Sequence, residues 1–447
     1  MREVLVKSLI DNAKFNRFFK GVLAICTLTV ICDGFNINMF GLVIPSLMKD
    51  WHLPPVAAGT LATWGMFGMA FGAFFFGPLA DAIGKKKAIM IGTLGYVVFT
   101  FACGFATGFT IFAVLRCLAG VCLGSVYALC VAFTSEFSPK AIRSRVTVWT
   151  TSGMAIGTLF AASIAIVIVV PLGWRWMFYV TGVMIFLLIF QAFLPESIAH
   201  LKKAGRKEQI AKTLEKMDPT FKATAEDDYK LAATTGKGSV SSLFTDGYAR
   251  NTILFWIVMV FSYIFIFGIM MWLPRLMTLK GFSIKFSLFF TLVWNLGFVL
   301  GIPLFGYLQD KFGGKRTLQI GWVILAILTA SIGFMNSYGV LTVLLFFTGA
   351  CQHGLSGVSG SYVAQSYPIH FRATGTTWGF GCGRIGGMLG PMIGGYLLAM
   401  KLPAAYNLMF YGCIIFVAAI IVSFTKDFFH QKPAVVQPQA QAQLASR

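Results

Sequence analysis

Three charged side chains stand alone in long apolar surroundings. Asp33 is the only charge across residues 21–48, Arg116 across 88–135 and Arg384 across 373–400. A lone intramembrane-type carboxyl is a group that can load and unload a proton. A lone guanidinium offers a planar fork of donors that grips a carboxylate bidentately, strongly so in a low-dielectric pocket. Other polar groups accompany them: His353 beside Gln352, Asn295 beside Trp294, and Asn36 three residues after Asp33. These could hydrogen-bond a polar ligand, and His353 could carry a proton. Phe35, Tyr263 and Tyr362 could line an aromatic pocket. Each group also has a plain structural reading: Arg384 satisfied by backbone carbonyls or an internal acid, Asp33 held in a static pair with Arg116, Arg116 a structural cation, His353 and the aromatics packed in a core.

The same residue inventory excludes other chemistry. The nine cysteines all fall in apolar stretches with no CxxC pair or His-rich neighbourhood, so no metal site or disulfide is expected and packing is their reading. No nucleophile–base constellation emerges, which argues against an enzyme. No Gly-x-x-x-x-Gly-Lys-Ser/Thr loop is present to cradle a nucleotide, and no cofactor is expected.

The elements that position these groups follow from composition. The 447 residues are 57% hydrophobic and 12% charged, and the mean hydropathy is +0.77. Lipid must be the solvent for most of such a chain. A helix crossing the roughly 30 Å hydrocarbon core needs about 20 apolar residues. Twelve stretches meet that need, near 19–45, 57–80, 87–107, 110–136, 146–170, 176–195, 251–276, 286–308, 316–336, 339–366, 374–400 and 404–427. The expected fold is an all-α membrane protein of two six-helix bundles, 1–195 and 251–427, joined by a polar linker, 196–250, with short amphipathic helices. A disordered tail is expected over 428–447, in the Gln-, Ala- and Pro-rich stretch from Gln431. Residues 1–20 carry five cations and no apolar core with a cleavage site, so no signal peptide is expected.

A net charge of +20 could suggest nucleic acid, but the cations are placed otherwise. Threading twelve spans from an inward start puts 28 of the 36 lysines and arginines in inward segments and six outward: Lys49, Arg175, Arg275, Lys280, Lys285 and Lys401. That asymmetry is the positive-inside rule, which places both chain ends in the cytoplasm and leaves nucleic-acid binding without support. The remaining two cations, Arg116 and Arg384, lie inside spans. Counting helical rise places Asp33 and Arg384 near the midplane, within reach of one cavity, and Arg116 shallower, nearer the outer face.

The halves are duplicates. Gly77, Asp81 and Gly84 after the second span match Gly306, Asp310 and Gly313 after the eighth, each 229 residues on, and Pro139, Arg143 and Trp149 match Pro368, Arg372 and Trp378 at the same offset. Glycines in these turns let helix ends approach while the carboxylate and cations bridge neighbouring ends. Asp81, Asp310, Arg143 and Arg372, with Glu136 at the inner end of the fourth span, are therefore expected in an inner gate. The isolated charges break the duplication: Asp33 pairs with Ser262, Arg116 with Leu345 and Arg384 with Ala155. Groups without symmetry mates suit an asymmetric ligand.

The paired Gly-x-x-x-Asp turns resemble the major facilitator superfamily over residues 15 to 427. Asp33-Gly34-Phe35-Asn36, Pro45-Ser46-Leu47, Leu194-Pro195-Glu196-Ser197, Trp272-Leu273-Pro274, and Arg372-Ala373-Thr374-Gly375 leading to Gly383-Arg384 are similar to its aromatic acid:H+ symporter branch. Asn36 stands where that branch usually carries a second acid. Arg116 to Gly120 is similar to the superfamily's Arg-x-x-x-Gly element of the fourth helix, often tied to proton movement. The resemblance implies a monomeric, proton-coupled symporter in a bacterial inner membrane. It would import a small organic acid, an aromatic carboxylate or its ring-cleavage diacid, by alternating access. The residues' own chemistry reads Arg384 as carboxylate anchor, Asp33 as coupling acid, and Arg116 as either a coupling partner or a structural cation. A sugar porter or drug antiporter is the alternative, though a mid-membrane arginine argues against cationic drugs. A sensor or channel is least favoured, because no repeated polar pore rings are seen.

Overall fold

The computed structural model describes residues 2–218, 220–224, 227–230, 240–245, 247–368 and 371–425; the tail expected over 428–447 lies outside them. Twelve long helices form the body: α1 Arg17–Asp50, α2 Pro55–Ile83, α3 Lys85–Cys103, α4 Phe109–Glu136, α5 Arg143–Leu172, α6 Arg175–Ala192, α7 Ala249–Leu279, α8 Ile284–Phe312, α9 Gly314–Phe334, α10 Tyr338–Gln365, α11 Arg372–Ala399 and α12 Ala404–Ser423. With no water in a bilayer core, only helices satisfy every backbone donor and acceptor within the segment, so apolar stretches of this length become helices. Eleven of them are long and apolar enough to cross a membrane. The exception, α11, is equally long at 28 residues, but nine glycines and Arg384 lower its hydropathy. The sixth span tightens to a 3₁₀ turn over Thr181–Phe186. The first runs past its expected end, because Pro45 is accommodated inside the helix.

The helices alternate in direction, so α1 begins and α12 ends at one face, here the terminal face; the opposite one is the far face. Within the first half α1 packs on α5 and α2 on α4; within the second, α7 packs on α11 and α8 on α10. The pairing is the same six helices on, as the 229-residue register predicts. The halves meet through α2 with α11, α5 with α8 and α1 with α7. Toward the far face this seam is tight: a Cβ on Gly41 would lie 2.6 Å from the Met270 carbonyl oxygen, and one on Gly395 would lie 2.7 Å from that of Pro55. Thr63 Oγ1 donates across it to the Met388 carbonyl at 3.0 Å. Toward the terminal face Asp81 and Asp310 are exposed, and Gly77 and Gly306 have open space beside them.

The linker holds the expected short helices, Ile198–Lys203 and Lys207–Met217. It also docks on the first half. Asn16 caps α1 by accepting from Phe18 N at 2.9 Å, and its amide donates to the Lys216 and Met217 carbonyls. Strands β1 (Arg2–Leu5) and β2 (Asp227–Lys230) pair in parallel, a feature the hydropathy pattern does not announce.

Candidate functional site

Asp33 sits at the middle of α1, fully buried, and neither carboxylate oxygen has a hydrogen-bond partner among the described residues. Its backbone is fixed by a close crossing of α1 on α5, where a Cβ at Gly34 would collide with the Met154 carbonyl and one at Gly157 with that of Ile31. The carboxylate interacts electrostatically with Tyr96 of α3 and with Tyr127 and Cys130 of α4. It is not paired with Arg116: the ion pairs between described side chains are Lys85–Glu136 and Arg143–Asp11.

Arg116 lies toward the far face, buried, with its guanidinium 4.8 Å from the centre of the Phe40 ring and its Nε without a partner. It shares a cavity of about 10 Å³ with Asn36, Met66, Met69 and Met271. The Asn36 amide donates to the Cys32 carbonyl at 3.2 Å and lies 3.5 Å from Met184 Sδ, leaving its Oδ1 unpartnered. Phe35 is buried in the apolar core common to both halves.

Arg384 projects from α11 across the seam into the first half. Its Nη1 donates to the Met69 carbonyl at 3.0 Å and its Nη2 to the Gly124 carbonyl at 3.3 Å. The guanidinium interacts with Tyr263 of α7, whose ring packs on Gly383 and which in turn interacts with Tyr127. Asp33, Tyr127, Tyr263 and Arg384 are therefore linked electrostatically, each with the next, from one half to the other. Sequence reasoning missed Tyr127. It lies eleven residues after Arg116, about three turns along the same helix, and that shared stripe was the available signal.

A second cluster lies between α8 and α10. Trp294, Asn295 and Gln352 are fully buried, and Trp294 Nε1 and both amide atoms of Asn295 and of Gln352 lack partners among the described residues. His353 stacks on Phe298 with ring centroids 3.6 Å apart and planes at 10°, and meets the edge of Trp294 at 4.8 Å; its Nε2 is also unpartnered. Buried polar atoms are nearly always hydrogen-bonded, so this concentration of unpartnered ones is unusual. Phe298 was not foreseen, because only the fold brings it under the imidazole. Tyr362 is not brought to this cluster. It lies nine residues further along α10, about 13 Å toward the terminal face, where its hydroxyl meets Thr425 Oγ1 at 2.9 Å and its ring packs on Gly314 and Phe255.

The groups expected at the inner gate are dispersed. Glu136 accepts from Lys85 Nζ and from Ser197 Oγ, both at 2.6 Å. Arg143 reaches Asp11 and donates from Nε to the Ser138 carbonyl at 3.2 Å; Arg372 donates likewise to the Tyr367 carbonyl at 3.2 Å. Glu196 accepts from the amide of Lys86 at 3.2 Å, and a Cβ on Gly84, whose φ is +96°, would strike its carboxylate. Among the described residues no group of His, Cys, Asp and Glu could hold a metal.

The chain is similar to known membrane transporters. A sequence profile described as the Major Facilitator Superfamily matches residues 26–302 and 285–446. A benzoate transport protein of Acinetobacter baylyi is 32% identical over 98% of this chain and 96% of its own. A gallate transporter of Pseudomonas putida is 30% identical over 93% and 94%. A partially occluded, inward open structure of the E. coli xylose transporter superposes with a TM-score of 0.74 at 16% identity, covering 94% of this chain and all of that one. The duplicated twelve-helix scaffold and these likenesses place the chain among membrane transporters rather than enzymes: it belongs to the major facilitator superfamily, in the branch that holds the benzoate and gallate carriers.

Proposed function

We propose that the protein is a proton-coupled symporter that brings a small aromatic carboxylate across a bacterial inner membrane. The observation that carries this reading is the run Asp33–Tyr127–Tyr263–Arg384, which joins an unpartnered buried carboxyl in one half to a seam-crossing guanidinium from the other. The guanidinium now spends its donors on two carbonyls of the first half. A ligand carboxylate offers it two charged acceptors, a stronger bidentate partner than neutral carbonyls. Taking the ligand therefore unties Arg384 from α2 and α4 and loosens the seam, which links binding to movement of the halves. Protonation of Asp33 neutralises the one anion on that path.

The unpartnered amides of Asn295 and Gln352, the indole of Trp294 and the stacked His353 supply ring and hydroxyl contacts from the second half, and Asn36 and Phe35 contribute from the first. Arg116 assists Asp33 through the small cavity it shares with Asn36. Residues 1–195 and 251–427 rock as two bodies about the seam. The positive-inside distribution supports a cytoplasmic terminal face that carries both ends, and the tight far-face seam, with Gly41 against Met270 and Gly395 against Pro55, supports an opening on that side. Asp81, Glu136, Arg143, Asp310 and Arg372 regulate that opening, and the monomer is the transporting unit. Relatives carrying benzoate and gallate support the substrate class.

The test is uptake into proteoliposomes under an imposed pH gradient, with benzoate, 4-hydroxybenzoate, gentisate, gallate, muconate and xylose. Accumulation of an aromatic acid that collapses when the gradient is dissipated is expected. Accumulation of xylose with none of the acids would overturn the reading.

A further inference from the structure

A coupling carboxyl has to exchange its proton with water. Asp33 is fully buried, whereas Arg384 is part-exposed, so a route open to the guanidinium does not by itself reach the acid. The titratable groups around Asp33 are Cys32 on its own helix, Tyr96 of α3, and Tyr127 and Cys130 of α4. Tyr96 and Cys130 belong to the core of the first half.

On the terminal-face side of Asp33 that core is polar. Thr29 lies one turn nearer the terminal face on α1. Its hydroxyl accepts from Gln191 Nε2 of α6 at 3.1 Å, and the same amide donates to Thr93 Oγ1 of α3 at 2.9 Å. The Cys130 thiol interacts with Cys26, with Thr29 and with the Asp33 carboxylate. One turn on along α4, Thr134 Oγ1 accepts from Thr150 Oγ1 of α5 at 3.3 Å. One turn further, just past the end of α4, the Ser138 hydroxyl donates to the Thr134 carbonyl, and the Ser138 carbonyl accepts from Arg143 Nη2 at 2.8 Å. Every hydroxyl and thiol on this line belongs to a buried residue. Beside it, Gln191 Oε1 and the Tyr96 hydroxyl have no partner among the described residues, and such groups are the ones that ordered water meets in protein interiors.

The second half fills the same places with apolar groups. In the 229-residue register Cys26, Thr29, Thr134 and Thr150 correspond to Phe255, Val258, Val363 and Gly379, and Thr93 and Gln191 to Trp322 and Ile420. Cys130 keeps a small polar mate in Ser359. Phe255, Val258 and Val363 are buried in an apolar core. Apolar residues therefore suffice to pack these crossings, and the hydroxyls occur in the half that holds the buried carboxyl.

We infer that the proton on Asp33 passes to the terminal face through the core of the first half, along Thr29, Cys130, Thr134 and Thr150, and not along the ligand's route at the seam. The inference rests on the coupling role proposed for Asp33. A hydroxyl or thiol can accept a proton on one side while giving up its own on the other, so with water between them these groups relay a proton and end the transfer unchanged. The carboxyl becomes a carboxylate, and one proton appears at the terminal face.

Thr29→Val with Thr134→Val copies the second half's residues at both places and keeps the side-chain shape. The full-length chain is tested in proteoliposomes, with rates taken per inserted protein. Benzoate uptake driven by an imposed pH gradient should slow about tenfold in this pair, on the scale of one charged hydrogen bond lost. Benzoate counterflow, which needs no net proton release, should keep its wild-type rate. The remaining uptake should slow more in heavy water than wild-type uptake does, and Thr29→Ser with Thr134→Ser should restore the wild-type rate. Unchanged uptake in the valine pair overturns the path. So does an equal fall in uptake and counterflow, which assigns the hydroxyls to packing; both results leave the coupling role of Asp33 standing. Wild-type uptake of benzoate that does not respond to the pH gradient overturns that coupling role and this inference with it.

Discussion

Lys86 and Lys315, one repeat apart, each donate to a backbone carbonyl near the end of their own half, Ala192 and Thr425, at 2.6 Å in both cases. Arg143 and Arg372 brace the turns before α5 and α11 through equivalent carbonyls, at 3.2 Å in both. The duplication has kept what holds a six-helix bundle at its terminal-face end. It has not kept the charges inside. Asp33 faces Ser262 in the register, Arg384 faces Ala155, and His353 corresponds to Gly124, whose carbonyl Arg384 occupies. The clasp at the terminal face has diverged as well: Lys85 and Glu136 form an ion pair in the first half where the second has Gly314 and Gln365. Shared contacts therefore report architecture, and broken ones report where each half has taken on separate work.

The largest effect is expected at the seam. Arg384→Ala should lower initial uptake about 100-fold or more, the scale of removing one partner from a buried charged contact, with the protein still inserted. Moving the arginine to its symmetric place, by adding Ala155→Arg, should not restore transport; restoration would show that the halves are interchangeable at this depth. Asp33→Asn should abolish accumulation driven by a pH gradient while substrate exchange continues, measured as counterflow in proteoliposomes. Retained proton-driven accumulation would remove Asp33 from the coupling role. Arg143→Ala and Arg372→Ala should each slow uptake about tenfold, the worth of one charged hydrogen bond, and by similar factors. A strong inequality would mean that the shared braces serve different ends. The smallest effect belongs to the ionic clasp: Lys85→Ala removes a part-exposed pair worth about 0.2–1 kcal/mol, read as a slight fall in the thermal midpoint.

The scaffold was legible because apolar length and a fixed repeat are properties of the chain itself. The twelve helices, the offset and the three charges without mates need no coordinates. What remained hidden depends on rotation and depth. Tyr127 and Phe298 join the site only because α4 turns one stripe toward α1 and α8 lays a ring beneath His353. Tyr362 has the right chemistry at the wrong depth. Arg384 and Asp33 were legible as a pair of buried charges. Backbone carbonyls were among the partners the sequence offered Arg384, but that they belong to the other half was not legible, since a backbone acceptor leaves no mark in a side-chain pattern. Glu196 was legible only as part of a motif, and its seat against Gly84 follows from a positive φ.

The small sheet at the terminal face has a consequence in time. Parallel strands need a crossover, and between β1 and β2 the crossover is the entire first half of the protein, about 220 residues. At ~5–20 residues per second of synthesis, β1 waits roughly 10–45 s before its partner exists. Throughout that interval six helices must enter the membrane with the first strand unpaired. The strand pair can close only once the first half has been made, and so works as a latch on a completed first half. An extension fused to the first residues would burden that latch, whereas one fused to the other end of the chain would leave it untouched.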